Sequence, residues 1–236
     1  KEHGNIFSPR LNIKQNLGTY TFLRINGGTG FRIVNLFTED HAFLTGSREV
    51  KVLDELQPEQ SYNFNLNINH IYTLGLSSGS IDFDVFYTYF TNKITPNYDI
   101  SPNLIVYDNL EGYAISKVLA FSIEQNFENN LNFSIGGTFL DAYSIFQNER
   151  DDELLAPLFS SVFSVGYSIN DFSFSWIGKL TGPMHLPKYD ISFEKDEISP
   201  WFAQHHLQIK KEFSSSFSFY CGIKNIFNYT QDTPLI

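Results

Sequence analysis

The stretch from Tyr62 to Tyr72, YNFNLNINHIY, alternates apolar or aromatic side chains with asparagines at positions 63, 65, 67 and 69. Because successive residues of a β-strand point to opposite faces of the sheet, this alternation predicts a strand with one apolar face and one amide-lined face. A row of amides is a poor protein core. We therefore expect the amide face of this strand to meet water.

The same alternation recurs along the chain and predicts an all-β protein. In the next segment Asp82 and Asp84 alternate with Ile81, Phe83 and Val85, which places both carboxylates on the water-facing side. Helical periodicity is almost absent. We predict ten strands, at about residues 7–17, 20–30, 60–74, 80–95, 110–126, 131–147, 157–169, 171–183, 200–213 and 216–228.

The connections between these strands alternate between short and long. The short ones are Leu17-Gly18-Thr19, Ser77-Ser78-Gly79, Glu128-Asn129-Asn130, Asn170-Asp171 and Ser214-Ser215, and the long ones span about 31–59, 96–109, 148–156 and 184–199. Tight turns at one end and long loops at the other are typical of outer-membrane barrels, whereas Greek-key crossovers of a β-sandwich break this order. The predicted strands also reach the roughly 9–11 residues that a tilted strand needs to cross a bilayer.

Composition narrows the function classes. The chain of 236 residues has 16 Lys+Arg against 26 Asp+Glu, a formal net charge of -10, which argues against a general nucleic-acid binder. Aromatic residues make up 17% of the chain and charged residues 18%, a balance that suits a lipid-facing band with aromatic girdles. Cys221 is the single cysteine, so an internal disulfide is excluded.

Several motifs add a family resemblance. They are, in order along the chain, Gly30–Ala42, Leu44–Val50, Leu56–Ser61, Tyr107–Ala114, Gly182–Pro187, Ser199–Phe202 and Gly222–Tyr229. Each is short, but together they cover the chain and resemble the β-barrel of TonB-dependent receptors, particularly the Bacteroidetes-type members. The resemblance implies an outer-membrane barrel of the 22-stranded type that holds an N-terminal plug and imports a substrate with energy from TonB.

Against that family pattern, residues 1–236 correspond to roughly strands 12 to 21 of the barrel. The plug, the first half of the barrel and the closing strand have no counterpart in the chain. Unpaired strand edges are costly in lipid, so we expect further strands to complete the barrel. The expected partners are outer-membrane lipid, the missing plug and strands, the TonB system through an N-terminal region, and a surface lipoprotein. No nucleic acid is expected.

The long connection 31–59 holds most of the side chains able to contact a substrate. The candidates are Arg32, Glu39, Asp40, His41 and Arg48. The competing interpretation is that Arg32, Glu39 and Asp40 make structural hydrogen bonds to neighbouring loops or to the plug, because binding residues are usually a minority of a polar loop.

Metal and catalytic chemistry find little support in the sequence. His205 and His206 are adjacent on a predicted strand, so their side chains diverge. Met184 and His185 form a soft-ligand pair that suits copper in principle, yet one pair is not a site. We predict no catalytic residue, no metal and no cofactor.

Two other classes of protein stay open. One is a barrel that serves as a structural subunit of an outer-membrane assembly and has lost transport. The other is a soluble β-sandwich adhesin, in which the apolar stripes of two sheets would face one another.

Overall fold

The computed structural model describes residues 6–33, 49–52, 56–101, 104–186 and 197–230. Its strands are β1 (Arg10–Asn16), β2 (Thr21–Arg32), β3 (Glu49–Val52), β4 (Glu59–Leu74), β5 (Ser77–Thr91), β6 (Ile94–Ser101), β7 (Leu104–Asn109), β8 (Gly112–Asn126), β9 (Leu131–Phe146), β10 (Glu149–Asp152), β11 (Phe159–Ile169), β12 (Phe172–Thr181), β13 (Phe202–Ser214) and β14 (Phe217–Ile223). Within these described ranges, no helix is long and apolar enough to cross a membrane.

Among the described residues, ten long strands form one antiparallel sheet in the order β1-β2-β4-β5-β8-β9-β11-β12-β13-β14. Each of them pairs with the long strands before and after it in the chain, and β1 and β14 form the two lateral edges. The ten predicted strands are therefore confirmed, with bounds that shift by a few residues. This hairpin order is that of a barrel wall and contains no Greek-key crossover.

One predicted turn was wrong by two residues. Ser77, Ser78 and Gly79 lie inside β5, where they pair with the end of β4, and the chain reverses at Gly75 and Leu76 instead. Gly75 has a φ of +63°, a left-handed conformation that glycine adopts without steric cost. The polar composition of the serine segment resembles a turn, but the single glycine before it determines where the chain reverses.

In the described parts of the long connections, the structure has four short strands that were not predicted. β6 and β7 form an antiparallel hairpin, β3 pairs in parallel with β7, and together they make a separate three-stranded sheet at the long-connection end. β10 pairs with β9 across a turn at Gln147 and Asn148, which have φ values of +50° and +65°. Two consecutive positive φ values are those of a type I′ turn, the common two-residue hairpin connection. Gln-Asn indicates a hairpin less strongly than Asn-Gly does, which is why the sequence did not predict β10.

The sheet is one layer thick, and its two faces differ in chemistry. One row of paired residues across the sheet runs Arg24, Asn67, Asp84, Ala120, Thr138, Ser160 and Thr181. The next row runs Leu23, Ile68, Phe83, Phe121, Gly137 and Ser161. Among the described residues no large side chain is fully buried, while Phe64 and Trp176 are 45% and 40% exposed. The β-sandwich interpretation is wrong, since no second sheet in the described ranges packs on the apolar face.

Aromatic rings cover three glycines on the apolar face. The pairs are Tyr72 with Gly79, Phe121 with Gly137, and Phe163 with Gly178. In each pair the ring belongs to the residue directly opposite the glycine and occupies the space that a Cβ atom would need. These glycines therefore let bulky rings lie flat on the sheet and close a gap in its apolar surface.

Candidate functional site

Arg32 is the only predicted contact residue that falls within the described part of the chain. It is the last residue of β2 and faces the polar side of the sheet, with its side chain 48% exposed. Glu39, Asp40, His41 and Arg48 lie outside the described residues. Their role as substrate contacts stays a prediction.

Arg32 takes part in a compact cluster with Glu59 and Ile94. Its Nη2 donates to Oε2 of Glu59 at 3.0 Å and to the carbonyl oxygen of Ile94 at 3.3 Å. The same carboxylate oxygen accepts the backbone N–H of Ile94 at 3.1 Å. Glu59 and Ile94 are 8% and 4% exposed, so the buried carboxylate joins the start of β4 to the start of β6, while the guanidinium of Arg32 stays half exposed.

Asn109 forms a second link at the same end of the sheet. Its Nδ2 donates to the carbonyl oxygens of Gln57 at 3.0 Å and Asn92 at 2.8 Å, and its Oδ1 accepts the N–H of Gln57 at 2.7 Å. Asn109 also pairs with Ile94 through the backbone of β6 and β7. One amide side chain thus connects three segments of the rim.

Glu59 and Asn109 lie in segments that carry the family resemblance, but the sequence alone assigns neither residue a role. Their contacts join positions 17 to 52 residues apart, as in the bond of Asn109 to Gln57. A local pattern cannot indicate a partner at that separation. The motif Tyr107–Ala114 was the available signal for Asn109.

An ion pair and a histidine–carboxylate contact join the remaining long connections. Lys93 contacts Glu153 at 2.6 Å, which ties the end of β5 to the segment after β10. Nε2 of His185 lies 3.6 Å from Oδ2 of Asp152, and the backbone of His185 pairs with Leu154. These contacts make the rim of the described wall a continuous surface instead of a set of separate loops.

Arg150 in β10 holds a small charged cluster on the apolar face of this rim. Its guanidinium contacts Asp141 at 2.7 Å and Asp152, and it lies 4.0 Å from the centre of the Tyr143 ring. Hydrogen bonds to Asp152 and then to Asp141 raise the pKa of Arg150 further above its ordinary value. The guanidinium is therefore permanently charged, and its stacking on Tyr143 fixes its orientation.

The histidines do not converge on a metal site in the described part of the chain. His205 packs on the apolar face against Trp176 and Phe227, whereas Nδ1 of His206 accepts the N–H of Asn225, so the two side chains diverge as predicted. The backbone of Met184 next to His185 is bound on both sides by Ser199. Across the described ranges, no group of three or more His, Cys, Asp or Glu residues could hold a metal ion.

The polar face below the rim carries a ladder of amides across β2, β4 and β5. Its hydrogen bonds are Arg24 to Asn67 at 2.9 Å, Asn26 to Asn65 at 2.8 Å, Asn65 to Asp84 at 3.4 Å, Asn69 to Asp82 at 2.9 Å and Thr88 to Asn63 at 3.1 Å. The predicted placement of the asparagines and of Asp82 and Asp84 on one face is confirmed. Most of these side chains form their hydrogen bonds with one another, so the ladder is a polar surface whose side chains are already held in position.

The chain was compared with known families and solved structures. Residues 1–226 match the model of the TonB dependent receptor-like β-barrel. A mutant of the ferric enterobactin receptor PfeA from Pseudomonas aeruginosa is similar in structure, with 16% identity, a TM-score of 0.68, and coverage of 94% of this chain and 35% of PfeA. The siderophore receptor PirA from Acinetobacter baumannii has 15% identity and a TM-score of 0.69, with coverage of 94% and 37%. The copper transporter OprC has 13% identity and a TM-score of 0.69, with coverage of 94% and 34%.

The chain thus spans about a third of the length of these structures. Comparison with curated protein sequences gives no match. Because the sequence identities are low, the solved structures support the fold alone. The family model matches nearly the whole chain and therefore supports the family assignment. Barrels of this family stand in the outer membrane of Gram-negative bacteria and belong to receptors and transporters, not to enzymes. On this fold and this match, the chain belongs to the TonB-dependent receptor family and forms part of its β-barrel.

Proposed function

We propose that this chain is the later part of the barrel of an import receptor, which binds a substrate at its extracellular connections and takes it in with energy supplied through TonB. The single observation that carries the proposal is the continuous rim at the long-connection end, where β4, β6 and β7 are joined through Glu59 and Asn109. Long connections that are joined to one another by hydrogen bonds are suited to a barrel opening in which the substrate-binding loops must keep defined positions. Arg32, which lies on that rim, is one proposed contact, and Glu39, Asp40, His41 and Arg48, outside the described residues, are the others.

The rest of the receptor is part of the same proposal. The sheet ends in two open edges, β1 and β14, and further strands beside them would complete the barrel around a plug. Coverage of about a third of the structures compared above is in line with this assignment. A TonB-contacting segment and a surface lipoprotein are the proposed partners beyond the barrel.

An uptake screen of the intact receptor tests the proposal. Cells that carry the receptor gene and matched deletion cells are offered labelled ferric chelates, haem, cobalamin, copper and oligosaccharides, each with and without an uncoupler of the inner-membrane proton gradient. We expect at least one compound to enter only with the receptor present and the gradient intact. Equal uptake of every compound in both strains would instead favour a structural barrel that does not transport.

A further inference from the structure

The cluster of Arg32, Glu59 and Ile94 joins two parts of the molecule that have different roles. Glu59 begins β4, a strand of the wall, and Ile94 begins β6, a strand of the three-stranded sheet of β3, β7 and β6, which is called the extracellular sheet below. One carboxylate oxygen accepts from both Arg32, at 3.0 Å, and the N–H of Ile94, at 3.1 Å. The position of the β6–β7 hairpin therefore depends on a carboxylate whose charge is balanced by Arg32.

The two members of the ion pair differ in accessibility. The side chain of Arg32 is 48% exposed, whereas that of Glu59 is 11% exposed. An oxyanion arriving at the mouth therefore meets the guanidinium more readily than the nearly buried carboxylate. Guanidinium groups bind carboxylate and phosphate through paired hydrogen bonds, so such a group would compete with Glu59 for Arg32.

Loss of its partner is costly for a buried charge. When Arg32 turns to an oxyanion, Glu59 keeps the Ile94 N–H but loses its countercharge in a site that is 8% exposed. The carboxylate must then gain solvent, and the start of β6 moves with it. Asn109 still ties the base of the hairpin to Gln57 and Asn92, so the hairpin changes its angle and stays attached.

We infer that Arg32 and Glu59 form a latch, in which binding of a carboxylate- or phosphate-bearing substrate to Arg32 is transmitted through Glu59 to the position of the β6–β7 hairpin. Glu59 is thereby a positioning residue, and Arg32 is the contact. The inference rests on the proposed import function, because it assumes a substrate at the mouth. It narrows the substrate class to compounds with an accessible oxyanion.

The test measures the hairpin directly in the intact receptor. Nitroxide labels are placed in a cysteine-free background at the exposed Lys51, which reports on the extracellular sheet, and at the exposed Leu76 in the short turn at the other end. Distance distributions are compared for the parent, Arg32→Gln and Glu59→Gln. Glu59→Gln has nearly the shape of glutamate and keeps an oxygen acceptor for Ile94, so it removes the ion pair with little disturbance of the fold.

Arg24→Gln is the matched control. Arg24 is on the same strand and the same face as Arg32, but it donates to Asn67 inside the wall. Inorganic phosphate and citrate serve as oxyanion probes, each compared with chloride at equal ionic strength. Folding of every variant is checked by the heat-dependent shift of the barrel on gels.

We expect Arg32→Gln and Glu59→Gln to move more than half of the population away from the parent distance, and Arg24→Gln to move none. Phosphate or citrate should shift the parent in the same direction and leave Arg32→Gln unchanged. Unchanged distances in both latch variants would overturn the inference. So would variants that shift while the anions have no effect, because the pair would then be purely structural. The uptake screen fails or succeeds independently of these distances, so the two proposals can be told apart.

Discussion

Replacing Gly178 by alanine should destabilise the barrel through one identified contact. A Cβ atom at position 178 would lie 2.5 Å from Cζ and 2.9 Å from Cδ1 of Phe163, well inside van der Waals contact. The ring of Phe163 is itself held by Trp176, 5.0 Å away at an interplanar angle of 90°, and by His205 at 5.8 Å. It therefore cannot move aside without disturbing both neighbours.

The magnitude follows from two opposing terms. Overpacking of this kind costs about 1–3 kcal/mol. Alanine recovers about 0.5–1 kcal/mol relative to glycine inside a strand, because it loses less backbone freedom on folding. The difference is a net loss of about 0–2.5 kcal/mol, centred on about 1 kcal/mol, which is roughly a 5- to 10-fold change in the folding equilibrium.

The assay is urea unfolding of the intact receptor in lipid vesicles. Fluorescence of Trp176 gives a local signal, since this residue touches Phe163. Gly18→Ala is the matched control, because nothing lies within 4 Å of a Cβ atom built there. The double variant Gly178→Ala with Phe163→Leu should recover part of the loss. If Gly178→Ala unfolds at the same urea concentration as Gly18→Ala, the idea that the ring fills the space above the glycine is refuted.

Three further predictions concern the rim and the two faces. Asn109→Ala should increase protease cleavage within residues 94–109 several-fold, since it removes three hydrogen bonds that join the rim segments, while Asn129→Ala in a short turn should not. Lys93→Ala should lower stability by no more than about 1 kcal/mol, with an effect that fades in high salt, because its partner Glu153 is 45% exposed and stays solvated without Lys93; a larger, salt-independent loss would contradict this. Cys221 should be shielded from a charged maleimide in a bilayer and react in urea, whereas Ser218→Cys in a Cys221→Ser background, on the opposite face, should react in the bilayer. Equal reactivity of both thiols in the bilayer would contradict the assignment of faces.

The sequence predicts the wall well because each strand carries its own alternation. The face of Asn63 or Asp84 follows from counting residues by two, and the register of neighbouring strands then brings Asn65 and Asp84 together. No long-range information is needed, since each long strand pairs with the long strand that follows it in the chain.

The rim is where prediction from sequence fails, and the reason is physical. Glu59 binds Ile94 across 35 residues, and β3 pairs with β7 although a long part of the chain separates them. Those contacts depend on where distant segments lie in the folded protein, and they produce no periodic pattern in the sequence. Even within the wall, local composition can mislead. The serine-rich segment after Gly75 resembles a turn, but the positive φ of Gly75 places the turn before the serines.

Under the proposed import function, the different constraints on wall and rim also bear on where a substrate would be selected. In the ladder, Asn65 is bonded to both Asn26 and Asp84, so moving one amide breaks bonds to two neighbouring strands. A wall with mutually satisfied groups gains little from binding a particular ligand, because any new hydrogen bond replaces an existing one. At the rim, Arg32 is half exposed and shares the Glu59 carboxylate with the N–H of Ile94. We therefore expect discrimination between substrates to depend mainly on rim side chains such as Arg32. Such a side chain has an accessible polar group, and its binding partner in the protein changes position when the side chain turns towards a ligand.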